Sequence, residues 1–213
     1  MPKRSRFNEI IHAAAVAFNE KGYNGASMRY IAKKLGLLEG SLYYYATSKQ
    51  EILFHVINEG MKRLQNELDG IIEDMQGHHF ESLLERAVNS HIKLTQSDEV
   101  GSLVLRTELR HLSGKYRKLV IERLEKYQQT WMSILKQGEQ QGFLDLETSP
   151  KIYYLLIIAM CNNARQWYRS DGHLSTDQIS QLITKLFIYG TVKSSLSKSE
   201  GLSEGRALSE LAG

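Results

Sequence analysis

The chain of 213 residues contains one cysteine, two prolines and two tryptophans, and each scarcity removes a class of explanation. The single thiol, Cys161, cannot form a disulfide within the chain, so the fold must rest on a packed core, which fits a reducing cytoplasm. Prolines stand only at positions 2 and 150, leaving long stretches free to be helical. The longest apolar run, 152–161, holds ten residues, about half of the roughly 20 needed to span a bilayer. No export-type apolar segment stands near the start, and a soluble protein with no membrane partner is expected. Catalytic signatures are missing as well: there is no phosphate-binding G-x-x-x-x-G-K, no G-x-G-x-x-G and no H-E-x-x-H. His78 and His79 are adjacent and would diverge, and His12, His55, His91 and His111 have no acidic or cysteine partner at ligand spacing that stands out. An enzyme is therefore not expected, nor a metal or cofactor.

What the chain does have is charge in an uneven distribution. The formal net charge of +3 is too mild for a protein that coats nucleic acid throughout. Residues 1–49, however, hold eight basic residues (Lys3, Arg4, Arg6, Lys21, Arg29, Lys33, Lys34, Lys49) against Glu9, Glu20 and Glu39, a net +5 that leaves the rest at −2. Positive charge is thus concentrated at one end, where phosphates would be met. Lys3, Arg4 and Arg6 read either as an arm toward the phosphates or minor groove, or as an ordinary solubilising terminus.

Apolar residues recur at helical spacing almost throughout, which predicts an all-α fold of about nine helices. Phe7, Ile10, Ile11, Ala14 and Phe18 mark a first helix terminated by Gly22. A long helix from Ser48 carries Ile52 through Met75 and passes from the N-terminal unit into the body. Later helices run from Phe80, from about Leu103 to Leu112, and from Tyr116 to Gly138. Another starts at Pro150 behind Thr148 or Ser149, and the last follows Ser175, with Gln178 completing a capping box. The expected divisions are 1–47, 48–196, and a frayed tail at 197–213 rich in Ser, Gly and Glu.

Residues 27–53 carry the chemistry. Ser27 is placed to cap a helix whose inner face is Met28, Ile31, Ala32 and Leu35, with Arg29, Lys33 and Lys34 outward. Gly36 ends it, Leu37 plugs the gap, and a second helix at about 39–45 buries Leu42 while presenting Gly40, Ser41, Tyr44 and Tyr45. Two short helices joined by a glycine turn form a helix-turn-helix, a DNA-reading device. The predicted DNA contacts are Arg4 and Arg6 from the arm, and Ser27, Met28 and Arg29 at the start of the first helix. The second helix adds Glu39, Gly40, Ser41, Tyr43, Tyr44 and Tyr45, its small residues permitting close approach and its phenols donating to phosphate oxygens. Lys49, in the first turn of the next helix, suits a phosphate. Glu39 either accepts from a cytosine amino group or complements the helix dipole.

The order Ala-x-x-Leu-Gly-x-x-x-Gly-Ser-Leu-Tyr-x-Tyr-x-x-Ser-Lys-x-x-Ile-Leu, behind an amphipathic helix ending Phe18-Asn-Glu-Lys-Gly-Tyr23, resembles the N-terminal domain of TetR-family (tetracycline-repressor-like) regulators. The resemblance covers roughly the first quarter of the chain. It implies a homodimeric transcriptional repressor on a palindromic operator of double-stranded DNA, hence nucleoid-associated, with a C-terminal domain that dimerises and binds a small-molecule inducer. Two positions depart from the pattern: Leu38 stands where a capping Ser or Thr is usual, and Ala46 where an aromatic is usual. The lost cap costs about 0.5–2 kcal/mol.

In the body, the apolar helix from Pro150 must be buried on all sides, within its own domain or against a partner, and the last helix adds a stripe of Ile179, Leu182, Ile183, Leu186 and Phe187, with close approach at Gly190. Pairing of these two helices, about 150–169 and 175–194, with their copies would give a four-helix dimer interface, the place the resemblance also implies. Arg106, Glu108, Arg110 and His111, with Asn162, Asn163, Arg165 and Trp167, are polar or aromatic candidates for an inducer site, Glu108 alternatively pairing with Arg106, Arg110 or a neighbouring helix. The stretch from Trp167 to Ser175 is similar to the linker in family members that respond to acyl-CoA. That implies an anionic ligand at a basic and aromatic rim, with its acyl part against Leu105, Tyr127, Trp131 and Met160. The alternative is a ligand-independent DNA-organising protein of the same fold, with a filled core in place of a cavity of several hundred Å³.

Overall fold

Local capping sets most of the helix boundaries. The computed structural model describes residues 3–75, 77–96, 102–168 and 173–190; the side chains of residues 3–5, 102, 103 and 165–167 lie outside that description, as does the expected tail. Among the described residues there are nine α-helices and no strand: α1 (Lys3–Gly25), α2 (Met28–Lys34), α3 (Glu39–Tyr43), α4 (Lys49–Asp74), α5 (Phe80–Gln96), α6 (Ser102–Glu108), α7 (Gly114–Gln140), α8 (Pro150–Trp167) and α9 (Thr176–Gly190). A 3-10 turn, Leu109–His111, extends α6.

Gly22 kinks α1 rather than ending it: its φ of 66° breaks the helical path, and the chain makes one more turn before Gly25. Ser27 caps α2 by accepting from the Tyr30 amide at 3.1 Å. At the turn, Gly36 takes φ 64°, and the amides of Gly36 and Leu37 return to the carbonyls of Lys33 and Ala32. Helix α3 is shorter than the expected 39–45, because the amides of Tyr45 and Ala46 both fold back onto the Leu42 carbonyl and close it. Ser48 then caps α4 through the Glu51 amide at 3.1 Å. The Glu51 carboxylate in return accepts from the Thr47 amide and hydroxyl, both at 2.7 Å, which hold its pKa below the usual carboxylate value.

These caps bring Ile10, Ala14, Phe18, Ile31, Leu42 and Leu53 together, each no more than 1% exposed. Burial of Leu42 alone contributes about 1.5–3 kcal/mol, enough to fix the orientation of so short a helix as α3. Helix α4 packs on α1 and α6 at one end and on α5 and α7 beyond, and α5 is the centre of the body, touching α4, α7, α8 and α9. Gly138 of α7 meets the buried Phe80 ring so closely that a Cβ there would stand 2.5–2.7 Å from it.

Two local expectations hold in α8 and α9. Ser149 accepts from the Lys151 amide at 3.3 Å with Pro150 in the first turn, and Ser175 and Gln178 bond each other's backbone amides at 2.8 and 3.2 Å. The expected burial of α8 on all sides does not hold within one chain. Helices α5 and α7 cover the face with Tyr154, Ile157, Cys161 and Ala164, while Ile152, Leu155 and Leu156 remain 45–53% exposed. Helix α9 divides the same way: Ile179, Ile183 and Phe187 are buried, whereas Leu182, Leu186 and Tyr189 are 57–66% exposed. At Gly190, nothing among the described residues lies within 4 Å of where a Cβ would be. Among the described residues, no helix is long and apolar enough to cross a membrane.

Candidate functional site

The α2–α3 hairpin exposes a polar and aromatic surface on a rigid base. Leu42 and Ala46 face the core, which turns Gly40, Ser41, Tyr43 and Tyr44 outward. Tyr43 is about half exposed and Tyr44 more so, and Tyr45 is half-buried with its ring edge-on to Tyr44 at 5.2 Å. Among the described residues, nothing lies within 4 Å of where a Gly40 side chain would begin, which leaves the leading end of α3 open. Leu38, at the cap of α3, makes no side-chain capping bond and is 82% exposed. Glu39 is exposed in the first turn, where it complements the helix dipole.

The basic residues separate into those consumed internally and those left facing out. Lys34 donates to Glu20 at 2.9 Å, and the Tyr30 hydroxyl donates to the same carboxylate, whose pKa these two bonds lower. Lys21 lies 4.2 Å over the Tyr30 ring, and Arg6 is paired with Glu9. Arg29 and Lys33 are exposed and have no side-chain partner among the described residues. The Arg4 side chain lies outside the described residues.

Two expected contacts are corrected by packing. Met28 is 7% exposed and belongs to the core of the hairpin, because the Ser27 cap directs the first turn of α2 inward at that position. Lys49 does not face outward: its Nζ donates to the Tyr23 carbonyl at 2.8 Å and lies 4.2 Å over the Tyr23 ring. The kink at Gly22 leaves that carbonyl available, and desolvation lowers the pKa of Lys49.

Lys49 is thereby part of a junction between the N-terminal unit and the body. Tyr23 stacks on His111 at 4.8 Å. Gln50 Nε2 donates to the His111 carbonyl at 3.2 Å and to Ser113 Oγ at 3.1 Å. Glu108, expected to pair with an arginine or a neighbouring helix, instead meets His111 of its own segment at 3.4 Å, while Arg106 donates to the Asn162 carbonyl and Arg110 turns to His111. The ends of α1 and α6 and the start of α4 therefore meet at one set of polar and aromatic contacts. A tilt of α4 cannot leave them unchanged.

In the body, Arg106 donates to the Asn162 carbonyl at 3.0 Å. Together with Ala159, Met160 and Asn163 these residues line an open depression of about 530 Å³ between α6 and α8. Of the other expected ligand contacts, Leu105 is half-buried against the core, and Arg110 is exposed with its Nε 3.4 Å from His111 Nε2. Tyr127 and Trp131 are 4% and 0% exposed and do not line this depression. The side chains of Arg165 and Trp167 lie outside the described residues.

Sequence reasoning missed a buried polar chain beside the depression. His91 Nδ1 is 2.8 Å from the Tyr127 hydroxyl and its Nε2 is 3.3 Å from Asn162 Oδ1. Both bonds are satisfied by a neutral ring that donates from Nε2 and accepts at Nδ1. Burial pushes the His91 pKa down to about 4, and the nearby Arg106 charge acts the same way. Burial also pushes the Tyr127 hydroxyl up and raises the Cys161 thiol to about 12, so all three groups are neutral near pH 7. No sequence signal marks His91, whose partners lie 36 and 71 positions away.

Residues 81–191 match the family described as the tetracyclin repressor-like C-terminal domain, and residues 10–56 match the bacterial regulatory proteins of the tetR family. The chain is 26% identical over 197 residues to the HTH-type transcriptional repressor KstR2 of Mycobacterium tuberculosis, covering 89% of this chain and 94% of that one. It is 24% identical over 189 residues to the fatty acid metabolism regulator protein of Bacillus subtilis, covering 88% and 96%. A solved structure of AibR in complex with isovaleryl coenzyme A and operator DNA shares the fold, with a TM-score of 0.74 at 24% identity, over 86% of this chain and 98% of that one.

Proposed function

The chain belongs to the tetR family of bacterial regulatory proteins and is a DNA-binding transcriptional regulator, and from that premise we propose that it is a homodimeric repressor released from a palindromic operator by an anionic acyl thioester. The observation that carries the reading is the outward face of α3 and its neighbours. Arg29, Lys33, Ser41, Tyr43 and Tyr44 are exposed together while Leu42 anchors the helix from behind. Arg29 and Lys33 supply phosphate contacts, and Ser41 with Glu39 supplies base-edge contacts. On this reading residues 1–47 are the DNA-binding unit and 48–196 the regulatory and dimerising body.

Dimerisation is supported by the two apolar stripes that one chain leaves uncovered, Ile152, Leu155 and Leu156 on α8 and Leu182, Leu186 and Tyr189 on α9. Paired with a second copy, they form a four-helix interface and hold two α3 helices on one face of DNA, about 34–36 Å apart for successive major grooves. The thioester class is supported by the relative named for fatty acid metabolism and by the isovaleryl coenzyme A in the AibR complex. Arg106, Asn162 and Asn163 offer a cation and amide groups to the anionic end, with Met160 beside the acyl part. Ligand binding that tilts α4 acts on the junction of Tyr23, Lys49, Gln50 and His111 and so on the spacing of the two α3 helices.

A gel-shift titration with short- and long-chain acyl-CoA tests this reading. The expected result is release of operator by a thioester and no release by free coenzyme A, with Arg106→Ala weakening the response while DNA affinity without ligand is kept. Operator binding that is indifferent to every thioester refutes the effector assignment and favours ligand-independent DNA organisation.

A further inference from the structure

Between Glu108 and Glu122 the chain carries Arg110, Lys115, Arg117 and Lys118 and no carboxylate. This basic stretch spans the turn into α7, and its position relative to the DNA-binding unit is fixed by named contacts. Gln50, the second residue of α4, bonds the His111 carbonyl and Ser113 Oγ at 3.2 and 3.1 Å. One turn further, Phe54 of α4 faces Tyr116 of α7 with ring centroids 5.0 Å apart. A helix rises 1.5 Å per residue, so Gln50 stands only about 3 Å along the axis from Ser48 at the cap. The first turn of α7 is therefore level with the end of α4 that directly follows α3.

The basic side chains there are not equivalent. Arg117 donates to the Leu109 carbonyl at 3.3 Å and closes the turn. Lys115 is exposed, its Nζ resting 4.8 Å over the neighbouring Tyr116 ring. The Lys118 side chain is 80% exposed, and its ion pair with Glu122 is long at 4.0 Å. The nearest carboxylate of α4, Glu51, is held by the Thr47 amide and hydroxyl. Two exposed lysines thus stand beside the end of α4 that follows α3, outside the helix-turn-helix.

We infer that Lys115 and Lys118 form a second phosphate-binding site, on the body of the protein, that takes the DNA backbone flanking the bases met by α3. The inference rests on the DNA-binding reading and extends it: the effector body does not merely position the recognition helices but touches DNA itself. Any ligand that shifts α7 against α4 then removes phosphate contacts as well as changing the spacing of the α3 helices.

The test uses the full chain and the duplex that it retains most tightly from a genomic-fragment library, with Kd measured between 50 and 300 mM NaCl. Each lost phosphate contact lowers the slope of log K against log salt by about 0.9. The Lys115→Ala, Lys118→Ala double variant is expected to lower it by up to about 4 for a dimer carrying four altered lysines, while Lys136→Ala at the far end of α7 leaves it unchanged. The charge-reversed pair Lys115→Glu, Lys118→Glu weakens binding further. An unchanged slope in a double variant with native circular dichroism overturns the inference. Failure of the unaltered chain to prefer any duplex over random DNA refutes instead the DNA-binding reading on which the inference rests.

Discussion

Lowering the pH from 7 to 5 destabilises this fold through one residue more than any other, His91. Its ring is 4% exposed, and its hydrogen-bond partners, Tyr127 and Asn162, are neutral. Trp131 lies edge-on at 6.3 Å, and the charge that reaches it is Arg106, of the wrong sign. Its pKa falls from 6.5 to about 4. In the window between those values the unfolded chain binds the proton and the folded chain does not, so stability falls as pH falls. One pKa unit corresponds to about 1.4 kcal/mol, and the loss between pH 7 and pH 5 amounts to about 2 kcal/mol per chain. For a chain of this size that is a fall in Tm of about 4–8 °C. His55, half-buried and also shifted down by desolvation, adds a smaller loss of the same sign. The lowered carboxylates Glu20, Glu51 and Asp177 lose their partners' benefit only below the usual carboxylate pKa, outside this window. Urea unfolding of wild type and His91→Gln at pH 7, 6 and 5 measures the effect. The variant is expected to be less stable at pH 7, having lost a fitted ring, but to show about 2 kcal/mol less pH dependence. Equal pH dependence in the two proteins would refute the claim that His91 is held neutral.

Gly138→Ala places a methyl carbon against a Phe80 ring that is 0% exposed, and overpacking of this kind costs about 1–3 kcal/mol in a urea melt without altering the DNA site. Leu182→Glu combined with Leu186→Glu charges the exposed face of α9 and is expected to give a folded monomer in sedimentation, with operator affinity lowered by about two orders of magnitude or more as the linkage of two half-sites is lost. A dimer that survives this change would move the interface elsewhere. Arg29→Ala should weaken binding to all duplexes alike and lower the salt slope by about 2 for a dimer that loses two contacts, whereas Ser41→Ala should weaken the preferred operator by about 1–3 kcal/mol and leave random DNA unaffected. Competition assays on both duplexes separate the two outcomes.

The features that the sequence made legible are those decided within a few residues. Ser27, Ser48, Ser149 and the Ser175–Gln178 pair cap their helices as their spacing implies, and Gly36 makes the turn that defines the helix-turn-helix. What remained hidden depends on residues brought together from afar. Lys49 looked like a phosphate ligand because its true partner, the Tyr23 carbonyl, is freed by a kink 27 positions earlier. The His91 chain could not be seen because α5, α7 and α8 each contribute one member. The apolar run in α8 implied burial on all sides, and only the packing reveals that one stripe is covered by α5 and α7 while the other stays exposed.

On the proposed reading, two copies of this chain read a specific DNA sequence about a two-fold axis. Selection from a library of genomic fragments at about 0.15 M salt, followed by determination of the mass of the complex on the fragments retained, tests it most directly. The account predicts enrichment of a palindrome whose half-sites lie about one helical turn apart, bound by two chains and preferred over random DNA by about a thousandfold or more. Retention without sequence preference, or tight binding by a single chain to a site with no two-fold symmetry, would contradict it.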